Sequence, residues 1–397
     1  MEKERVLIVH NYYQIPGGED TVVSNERKML EDNGHDVFMY SRHNDEIKKK
    51  GIIGKLLLPF ETIYSLKTTR DIKKIVKEKK IDIVHIHNTF PLISPSIYSV
   101  SKKAGVKVVQ TVHNFRLLCP AATFARDNKI CEDCVNKGLL NSIKHNCYRN
   151  SKLQTIIAAS MLKFNRIIGS YKKVDAYIAL TEFNKEKLSS LIPKEKIFVK
   201  PNFCEKPSIP IVPIEEREYF MFLGRLDKLK GIDLLVEAWK DIKYEELLVV
   251  GTGPEEEYLK SFIKENNMKN VKLVGFKKKD EAMKLLSKAK ALIVPSQWYE
   301  GFPMTIVESF SIGVTVIAGD IGNIGTIIKS NVNGIIYKYN EYSDLSEVIN
   351  KVKNDYNILK KLSKTAKNEF ILKYSNNINY ELLISIYRKS IDKDVKI

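Results

Sequence analysis

The chain has 397 residues, and its 65 lysines and arginines outnumber its 48 acidic residues, which gives a formal charge of +17 at pH 7. This length is too great for one ordinary hydrophobic core and predicts two domains. No run reaches the ~20 apolar residues of a membrane span. The first apolar run, residues 6–9, is too short for a secretion signal, so we expect a cytoplasmic protein.

The positive charge points to anionic partners, namely nucleic acid, an anionic membrane or a phosphate-bearing substrate. The chain contains none of the common nucleic-acid-binding motifs, and its lysines are scattered rather than interleaved with aromatic residues. We therefore expect no nucleic acid, and we favour a nucleotide substrate together with a membrane surface. A merely solvated, lysine-rich surface is the alternative.

The N-terminal residues predict the opening of a parallel, doubly wound sheet. Residues 5–10 read as an apolar strand, residues 22–30 have helical periodicity and residues 35–40 form a second strand. Gly17 and Gly18 lie between the first strand and the helix, where they allow a ligand to approach the backbone closely or simply make a tight turn. The dinucleotide fingerprint G-x-G-x-x-G is absent here.

Residues 48–60 combine lysines with an apolar run, Gly51-Ile-Ile-Gly-Lys-Leu-Leu-Leu-Pro-Phe60. This composition suits a segment that lies in the interface of a membrane. The alternative is a surface helix whose apolar residues face the core.

Three histidines stand on two further predicted strands, residues 81–87 and 106–113. His85 and His87 share one strand face, which suggests a metal, but two histidines without a third ligand more often pack or form hydrogen bonds. His113 ends its strand, and the carboxyl ends of such strands face the ligand-binding crevice. A buried structural histidine is the alternative for this position.

Four of the five cysteines follow within one insertion: Cys119, Cys131, Cys134 and Cys147. A cytoplasmic protein keeps such thiols reduced, which disfavours disulfides. Four thiolates at this spacing can form a structural tetrahedral zinc site, and His145 can replace one ligand. Thiols without a metal, or a redox pair of Cys131 and Cys134, are the alternatives.

A second domain is expected after the apolar, proline-rich residues 207–213. Its first strand, residues 219–223, runs into Gly224-Arg-Leu-Asp-Lys-Leu-Lys-Gly231. Arg225 can bind phosphate oxygens with two parallel hydrogen bonds, and Lys230 adds a point charge. Helices and strands then alternate at residues 232–239, 247–250, 255–265, 271–274 and 281–288.

Gly251 and Gly253 follow the strand at residues 247–250 and resemble part of a nucleotide-binding loop. Glu255, Glu256 and Glu257 come next, and three carboxylates at a helix start would repel a pyrophosphate. This argues against a nicotinamide dehydrogenase. In the family that the motifs described next resemble, a similar glycine loop lies near the nucleotide, and this resemblance implies minor nucleotide contacts for Gly251 and Gly253.

The segment Pro295-Ser-Gln-Trp-Tyr-Glu-Gly-Phe-Pro-Met-Thr-Ile-Val-Glu308 links a short apolar strand to a helix. Pro303 suits a helix start, and the helix is predicted to bury Ile306, Val307 and Phe310. A helix N-terminus binds anions through its unpaired N–H groups and the positive end of the dipole. Glu300 and Glu308 lie on either side of this helix end and can reach the hydroxyls of a nucleotide-sugar. The alternative is that they have no ligand and are only a helix-capping carboxylate and an exposed helix carboxylate.

Glu300 and Glu308, with seven residues between them, resemble the E-x7-E motif of the retaining enzymes of glycosyltransferase family 4, which have the GT-B fold. The segment from Gly224 to Gly231 resembles the GR-x4-KG signature of that family. His113 and the Pro201-Asn202 step are similar to further family positions. Thr326 departs from the family pattern, which commonly has a glutamate there.

The resemblance implies an α/β protein of the GT-B class, with two Rossmann-like, doubly wound domains facing a central cleft. Residues 1–205 would be the acceptor-binding domain, with a Cys-rich insertion at 119–147, and residues 206–375 the domain that binds the nucleotide-sugar. Residues 376–397 would form a C-terminal helix that packs back on the first domain.

The resemblance also implies transfer of a sugar, with retention at the anomeric carbon, from a UDP- or GDP-sugar to a saccharide acceptor, which is expected to be lipid-linked by analogy with cell-surface polysaccharide (capsule) synthesis. The enzyme would be cytoplasmic, at most peripheral at the inner face of the plasma membrane. His113 and Glu300 would contact the sugar, and Arg225 and Lys230 the departing diphosphate. The donor site would comprise Gly17, Gly18, Arg225, Lys230, Gly301, Phe302, Pro303, Met304, Thr305 and Glu308.

No catalytic metal is expected, because the only Asp-x-Asp of the chain is at residues 392–394, in its tail. Three other functions fit parts of the pattern. They are a nucleotide-sugar epimerase or phosphorylase of the same fold, a non-catalytic nucleotide-sugar-binding protein, and a protein that binds polyanions by charge alone.

Overall fold

The computed structural model of the chain describes residues 3–14 and 17–392. The chain divides into two compact units. The first comprises Met1–Phe124, Cys131–Asn202 and Asn376–Ile397, and the second comprises Ala125–Ile130 and Phe203–Ser375. The terminal helix therefore belongs to the first unit, and the chain leaves the first unit after Asn202.

The described residues before position 200 contain eight strands. They are β1 (Arg5–Tyr12), β2 (Asp36–His43), β3 (Ile83–Asn88), β4 (Lys107–Val112), β5 (Ala125–Arg126), β6 (Lys129–Ile130), β7 (Ala176–Ala179) and β8 (Ile197–Val199). Six of them form a parallel sheet in the order β2-β1-β3-β4-β7-β8, and β5 and β6 form a separate antiparallel hairpin. Every residue of β3 and β7 is buried, as expected for parallel strands covered on both faces.

Nine helices connect these strands in the same part of the chain. They are α1 (Gly18–Asp32), α2 (Glu46–Lys49), α3 (Ile52–Ile63), α4 (Leu66–Lys79), α5 (Ser96–Lys103), α6 (Asp133–Asn136), α7 (Leu140–Lys144), α8 (Lys152–Ile167) and α9 (Glu182–Leu188). α4 illustrates how capping and an apolar face specify these helices. Ser65 accepts a hydrogen bond from the N–H of Thr68 at the helix start, and Thr68, Ile72 and Val76 are buried at four-residue intervals.

The second unit has a sheet of its own, with six parallel strands. They are β9 (Tyr219–Leu223), β10 (Leu247–Val250), β11 (Val271–Gly275), β12 (Ala289–Val294), β13 (Thr315–Gly319) and β14 (Ile335–Tyr337). The spatial order is β11-β10-β9-β12-β13-β14, which is the 3-2-1-4-5-6 order of a Rossmann fold. β9 and β12 are therefore the adjacent strands at which the chain reverses direction across the sheet, and their carboxyl ends mark the expected ligand crevice.

Helices alternate with the strands of the second unit, as the periodicity of the sequence predicts. They are α10 (Ile232–Trp239), α11 (Glu256–Glu265), α12 (Lys279–Ser287), α13 (Met304–Ser311), α14 (Asn323–Ile327), α15 (Tyr342–Val352) and α16 (Tyr356–Glu369). The last helix of the described residues is α17 (Asn376–Asp392), which contacts α1, β4 and β7 of the first unit. No helix in the described part of the chain is long and apolar enough to cross a membrane.

The sequence of residues 188–198 predicts a helix followed by a strand, and this prediction is wrong in part, because the helix there is α9, which ends at Leu188. Ser189 and Ser190 compete with helical hydrogen bonding, and Pro193 cannot continue a helix, so a short 3-10 turn leads into β8.

Candidate active site

The loops after β9 and β12 meet at the switch point of the second sheet. Lys230 Nζ lies 2.6 and 2.8 Å from the two carboxylate oxygens of Glu300, and Ser296 Oγ donates a hydrogen bond of 2.6 Å to the same carboxylate. Glu300 is buried, whereas about a third of the Lys230 side chain is exposed. The structure thus joins two residues that lie 70 positions apart into one partly buried, charge-assisted pair.

Three glycines explain how these loops come so close. Gly231 has a φ of +71°, and a Cβ there would lie 1.8 Å from the carbonyl oxygen of Pro295. Gly251, with a φ of +138°, and Gly253 pack in the same way against the backbone of Gly224 and Leu226. Gly251 and Gly253 are thus required for the packing of the Arg225 loop, a role that does not depend on the nucleotide contact predicted for them.

Arg225 and Glu308 are less tightly held than Lys230 and Glu300. The Arg225 side chain is 60% exposed, and its Nε lies 3.7 Å from Asp227 Oδ2, which is a weak pairing. Glu308 lies within α13, mostly buried, and its carboxylate is 3.5 Å from Lys279 Nζ. Arg225 is therefore available to bind an anion, and Glu308 presents a carboxylate on the first helical turns beyond Gly301.

The helix that follows the Glu300 loop begins at Met304, with Pro303 as its N-cap residue, and it buries Ile306, Val307 and Phe310 as predicted. Gly301, Met304 and Thr305 are partly exposed. Phe302 is buried, and its ring lies 6.2 Å from that of Tyr374, so a packing role accounts for it without a ligand.

Two residues of this site escaped the sequence analysis. One is Ser296, whose hydroxyl bonds Glu300. The other is Asn323 at the start of α14, whose amide donates 2.8 Å to the carbonyl of Gly301 and also bonds the carbonyl of Glu300. Both residues follow the carboxyl end of a strand, β12 or β13, and side chains at such positions lie at the ligand crevice. Their positions in the chain could therefore have predicted them as site residues. Thr326 bonds the carbonyl of Asn323 and completes that turn.

The first unit contains a cluster of histidines. His87 Nδ1 lies 2.9 Å from His113 Nε2, and His85 contacts the hydroxyls of Tyr387 and Thr111, each at 2.8 Å. All three rings are buried. The sequence predicted His113 but neither its imidazole partner nor the tyrosine that comes from the C-terminal helix.

A buried carboxylate, Glu26, organises this cluster. Its oxygens lie 2.9 Å from Lys200 Nζ, 3.0 Å from His85 Nδ1 and 3.3 Å from His87 Nε2. Burial opposes ionisation, but Lys200 and His85 outweigh it and hold the pKa of Glu26 well below its usual range. Burial and the neighbouring His85 lower the pKa of His87 to about 4, and burial with His87 lowers that of His113.

Electrostatics favours one tautomer of His113. Because Glu26 is ionised and its oxygen lies 3.3 Å from His87 Nε2, outside hydrogen-bond geometry, the charge of the carboxylate favours the proton of neutral His87 on Nε2. His87 Nδ1 is then an acceptor, so His113 Nε2–H donates to it and His113 Nδ1 keeps a lone pair. The network can thus present His113 as a neutral acceptor for a hydroxyl group.

Gly17 and Gly18 lie at the start of α1. Gly17 is the N-cap residue with a φ of −131°, which any residue adopts, and a Cβ there would contact nothing within 4 Å. Asp20 bonds the N–H of Gly17 at 2.8 Å and His10 at 2.7 Å. Burial and Asp20 raise the pKa of Glu19 to about 8. Glu19 and Asp20 therefore line the region around these glycines, which the sequence analysis did not anticipate.

Glu26, His85 and His87 are the one set of three potential metal ligands in the described residues whose atoms lie within 4.8 Å of one another. The third ligand that the sequence analysis found missing is thus present. The geometry nevertheless fits an ion-pair network, because Lys200 occupies one oxygen of Glu26 and both nitrogens of His85 have hydrogen-bond partners.

None of the five cysteines is in a disulfide. A hydrogen bond from Cys134, together with backbone N–H groups of residues 121, 123 and 124, lowers the pKa of the Cys119 thiol to about 6 despite its burial. The same hydrogen bond and burial raise the pKa of the Cys134 thiol, and the charges of Cys147 and Cys131 raise it further. The donors fit zinc chemically, but no three of these sulfurs in the described chain lie within 4.8 Å, so a zinc site requires the loop to close.

The Asp-x-Asp at residues 392–394 extends beyond the described residues, which end at position 392.

Comparison with known families accounts for most of the chain. Residues 16–205 match the family described as Glycosyltransferase Family 4, and residues 205–369 match the family described as Glycosyl transferases group 1. An uncharacterised glycosyltransferase of Methanocaldococcus jannaschii is 26% identical over 94% of this chain and 94% of its own. The amylovoran biosynthesis glycosyltransferase AmsK of Erwinia amylovora is 23% identical over 81% of this chain and 84% of its own.

Solved structures share the fold over nearly the whole length. A glycosyltransferase from Rickettsia africae has a TM-score of 0.70 and 19% identity, and the alignment covers 98% of this chain and 99% of that one. HepE from Anabaena, solved in complex with UDP-glucose, has a TM-score of 0.64 and 15% identity, with 97% and 99% covered.

Proposed function

The chain belongs to glycosyltransferase family 4 and is a glycosyltransferase with the GT-B fold, and from this we propose that it transfers a sugar, with retention at the anomeric carbon, from a UDP- or GDP-sugar to a saccharide acceptor. The pairing of Lys230 with Glu300 at the carboxyl ends of β9 and β12 is the observation that carries the proposal. It joins the two family motifs at the edge of the sheet where ligands of this fold bind.

The bond between the anomeric carbon and the diphosphate breaks, and a bond to the acceptor oxygen forms; the acceptor proton leaves with the diphosphate. Negative charge grows on the diphosphate as it departs. Arg225 is exposed and weakly paired, and the Lys230 ammonium has a third N–H beyond the two directed at Glu300. Both can bind that charge, together with the N-terminus of α13, as preorganised electrostatic stabilisation.

The carboxylates orient the donor in this proposal. Glu300 is held by Lys230 and Ser296, so its remaining lone pairs point in fixed directions toward a sugar hydroxyl. Glu308 accepts from the ribose hydroxyls, and His113 accepts from a sugar hydroxyl through Nδ1. Since cations stabilise the leaving group, we propose that catalysis uses no metal ion.

We further propose a role in cell-surface polysaccharide synthesis at the cytoplasmic face of a membrane, with a lipid-linked saccharide as acceptor. The relative from Erwinia amylovora is named for amylovoran biosynthesis, and a further relative from Klebsiella pneumoniae is described as encoded in a cps region. The basic charge of the chain supports contact with anionic lipid.

The test is a panel of UDP- and GDP-sugars, each incubated with and without a lipid-linked saccharide, with release of the nucleoside diphosphate as the readout. One donor should support acceptor-dependent release, and NMR of the product should show the donor's anomeric configuration. Epimerised donor without release, or sugar phosphate formed with inorganic phosphate, would instead identify an epimerase or a phosphorylase. Binding without any turnover would leave a nucleotide-sugar-binding protein.

A further inference from the structure

Exposed apolar side chains are concentrated on one part of the first unit. Of the 21 large apolar side chains that are exposed in the described chain, 12 lie between positions 52 and 168. Five belong to α3: Ile52, Ile53, Leu56, Leu57 and Phe60. Four belong to α8: Leu153, Ile156, Phe164 and Ile167. The others are Leu66, Leu140 and Ile168. A concentration of this kind marks an interaction surface.

α3 and α8 are packed against each other, so these side chains belong to one surface. Asn165 of α8 donates 3.0 Å to the carbonyl of Ile63, and the rings of Tyr64 and Phe164 meet edge to face at 6.4 Å. Ile52 and Ile53 are 82% and 75% exposed. The structure thus rules out the alternative in which the apolar residues of segment 48–60 face the core.

The charge around this two-helix surface is positive. Residues 134–174, which contain α7 and α8, include no aspartate or glutamate and eight cations: Lys137, Lys144, Arg149, Lys152, Lys163, Arg166, Lys172 and Lys173. On the side of α3, Lys55 of that helix is exposed, as are Lys48 and Lys49 of the preceding helix α2, and the single acid of α3, Glu61, is paired with Lys50 at 2.6 Å. Exposed apolar residues with flanking cations suit the interface of an anionic bilayer.

A pocket of about 300 Å³ opens between the same two helices. Leu58 and Thr62 of α3 and Gln154 and Ile157 of α8 line it, and the rest of its wall is formed by Gln14, Asn44, Ile47, Phe90, Pro91, Tyr148 and Arg149.

The polar groups of this pocket suit a saccharide. Asn44 is 7% exposed; its oxygen accepts from Asn11 at 2.9 Å, while its amide nitrogen has no partner in the described chain. Phe90 and Tyr148 provide aromatic walls and are both stacked by the Arg116 guanidinium, at 4.2 and 4.9 Å from the ring centres. An amide donor without a protein partner beside fixed aromatic rings fits a sugar ring with hydroxyl acceptors.

We infer that α3 and α8 dock the protein on an anionic bilayer and that the pocket between them binds the saccharide head of a lipid-linked acceptor, whose lipid remains in the bilayer beside the two helices. The membrane-docking part of this inference depends only on the surface described above. The part that concerns the acceptor rests on the proposed glycosyl transfer.

Docking is tested by sedimentation with vesicles of phosphatidylglycerol and phosphatidylcholine. The wild type should bind anionic vesicles more strongly than pure phosphatidylcholine, and added salt should weaken the binding. Ile53→Asp with Leu56→Asp should lower the partition coefficient on the order of 100-fold, because two exposed apolar side chains lose their burial in lipid. The matched control is Phe276→Asp with Leu372→Asp, which alters equally exposed residues of the second unit and should bind as the wild type does.

The pocket is tested with the same vesicles containing a polyprenyl-diphosphate-linked monosaccharide, a measurement that needs no catalysis. This lipid should tighten binding of the wild type and of Ile156→Trp, which adds bulk outside the pocket. Ile157→Trp fills the pocket and should abolish the increment while leaving binding to plain vesicles intact. Donor turnover is measured separately, so its absence would contradict the proposed function and leave these results unaffected.

Two outcomes overturn the inference. Equal binding of the wild type and Ile53→Asp/Leu56→Asp, or no vesicle binding by either, removes the docking surface; a wild-type dimer that this variant dissociates would then assign the surface to self-association. An increment that survives Ile157→Trp, or that is absent in the wild type, removes the acceptor pocket.

Discussion

Single residues in the candidate site are held by specific partners, most of them distant in the chain. Glu300 has Lys230 and Ser296, and His113 has His87, which in turn contacts Glu26. A side chain with its lone pairs and protons assigned in this way needs little reorganisation when charge develops beside it. The residue scale therefore yields two predictions, one for catalysis and one for stability.

Replacing Arg225 or Lys230 with Ala should lower kcat by roughly 100-fold or more. Each removes one cation from the departing diphosphate, and a preorganised donor of this kind contributes about 3 kcal/mol in the transition state. Lys228→Ala changes an exposed cation in the same loop and should leave kcat near normal. Steady-state kinetics with circular dichroism as a folding check measures this, and near-normal turnover of the double variant would remove the diphosphate assignment.

The stability of the first unit should fall as the pH drops from 6.5 to 4. The pKa of His87 is about 4 in the fold and about 6.5 in an unfolded chain. The unfolded state therefore binds the extra proton in this window, and stability rises with pH across it, by roughly 3 kcal/mol for this buried group. Urea midpoints measured from pH 4 to 7 should follow this slope. His87→Asn should reduce the slope, with the lowered pKa of His113 accounting for the remainder, whereas an equally steep slope in that variant would exclude His87 as its source.

At the scale of elements, the hairpin of β5 and β6 and the short helices α6 and α7 fill the chain between β4 and α8. Short elements of this kind bury few apolar side chains and need another source of order. Cys119 and Cys134 are already hydrogen-bonded to each other, which makes the four-cysteine loop a candidate for stabilisation by metal.

We predict that protein purified without chelator contains close to one zinc per chain, held by Cys119, Cys131, Cys134 and Cys147. Cys131→Ser should lose the metal, because three thiolates bind zinc less tightly than four. The matched control is Cys204→Ser, a buried cysteine outside the loop, which should keep it. Metal content by mass spectrometry decides the matter; zinc far below one per chain with four titratable thiols in this loop would show that the loop is ordered without it.

At the scale of the whole molecule, both units are parallel, doubly wound sheets, and α17 returns the end of the chain to the first of them. Tyr387 and Asn379 of this helix bond His85 and Lys200, so the histidine cluster is complete only when the end of the chain is in place. In the proposed reaction, Arg225 and Lys230 of the second unit take the role that a metal ion has in other transferases.

Glycosyl transfer should therefore persist in EDTA over short incubations, with at least half of the untreated rate. The reason is that Arg225, Lys230 and the N-terminus of α13 supply the positive charge at the leaving group. The measurement is product formation with and without EDTA, with Cys131→Ser as the control for any effect of structural zinc. Complete loss that Mn²⁺ restores would contradict a mechanism based on these cations.

Local patterns along the chain were sufficient to predict the class of fold and to propose the main residues of the site. Apolar runs flanked by glycine and proline predicted the strands, and the spacing of Arg225, Lys230, Glu300 and Glu308 carried the family resemblance. Both rest on the period of a strand or helix and on motif spacing, which are visible along the chain.

Only the tertiary structure decided which side chains act together. Glu26 pairs with Lys200, Lys230 with Glu300, and α3 packs beside α8 with its apolar side chains exposed. The composition of residues 48–60 was equally compatible with a core-facing and an exposed helix, because the hydrophobicity of a segment does not determine whether protein or solvent lies against it. Contacts between positions 70 to 174 residues apart follow from strand order and from the course of the chain, and no local pattern encodes them.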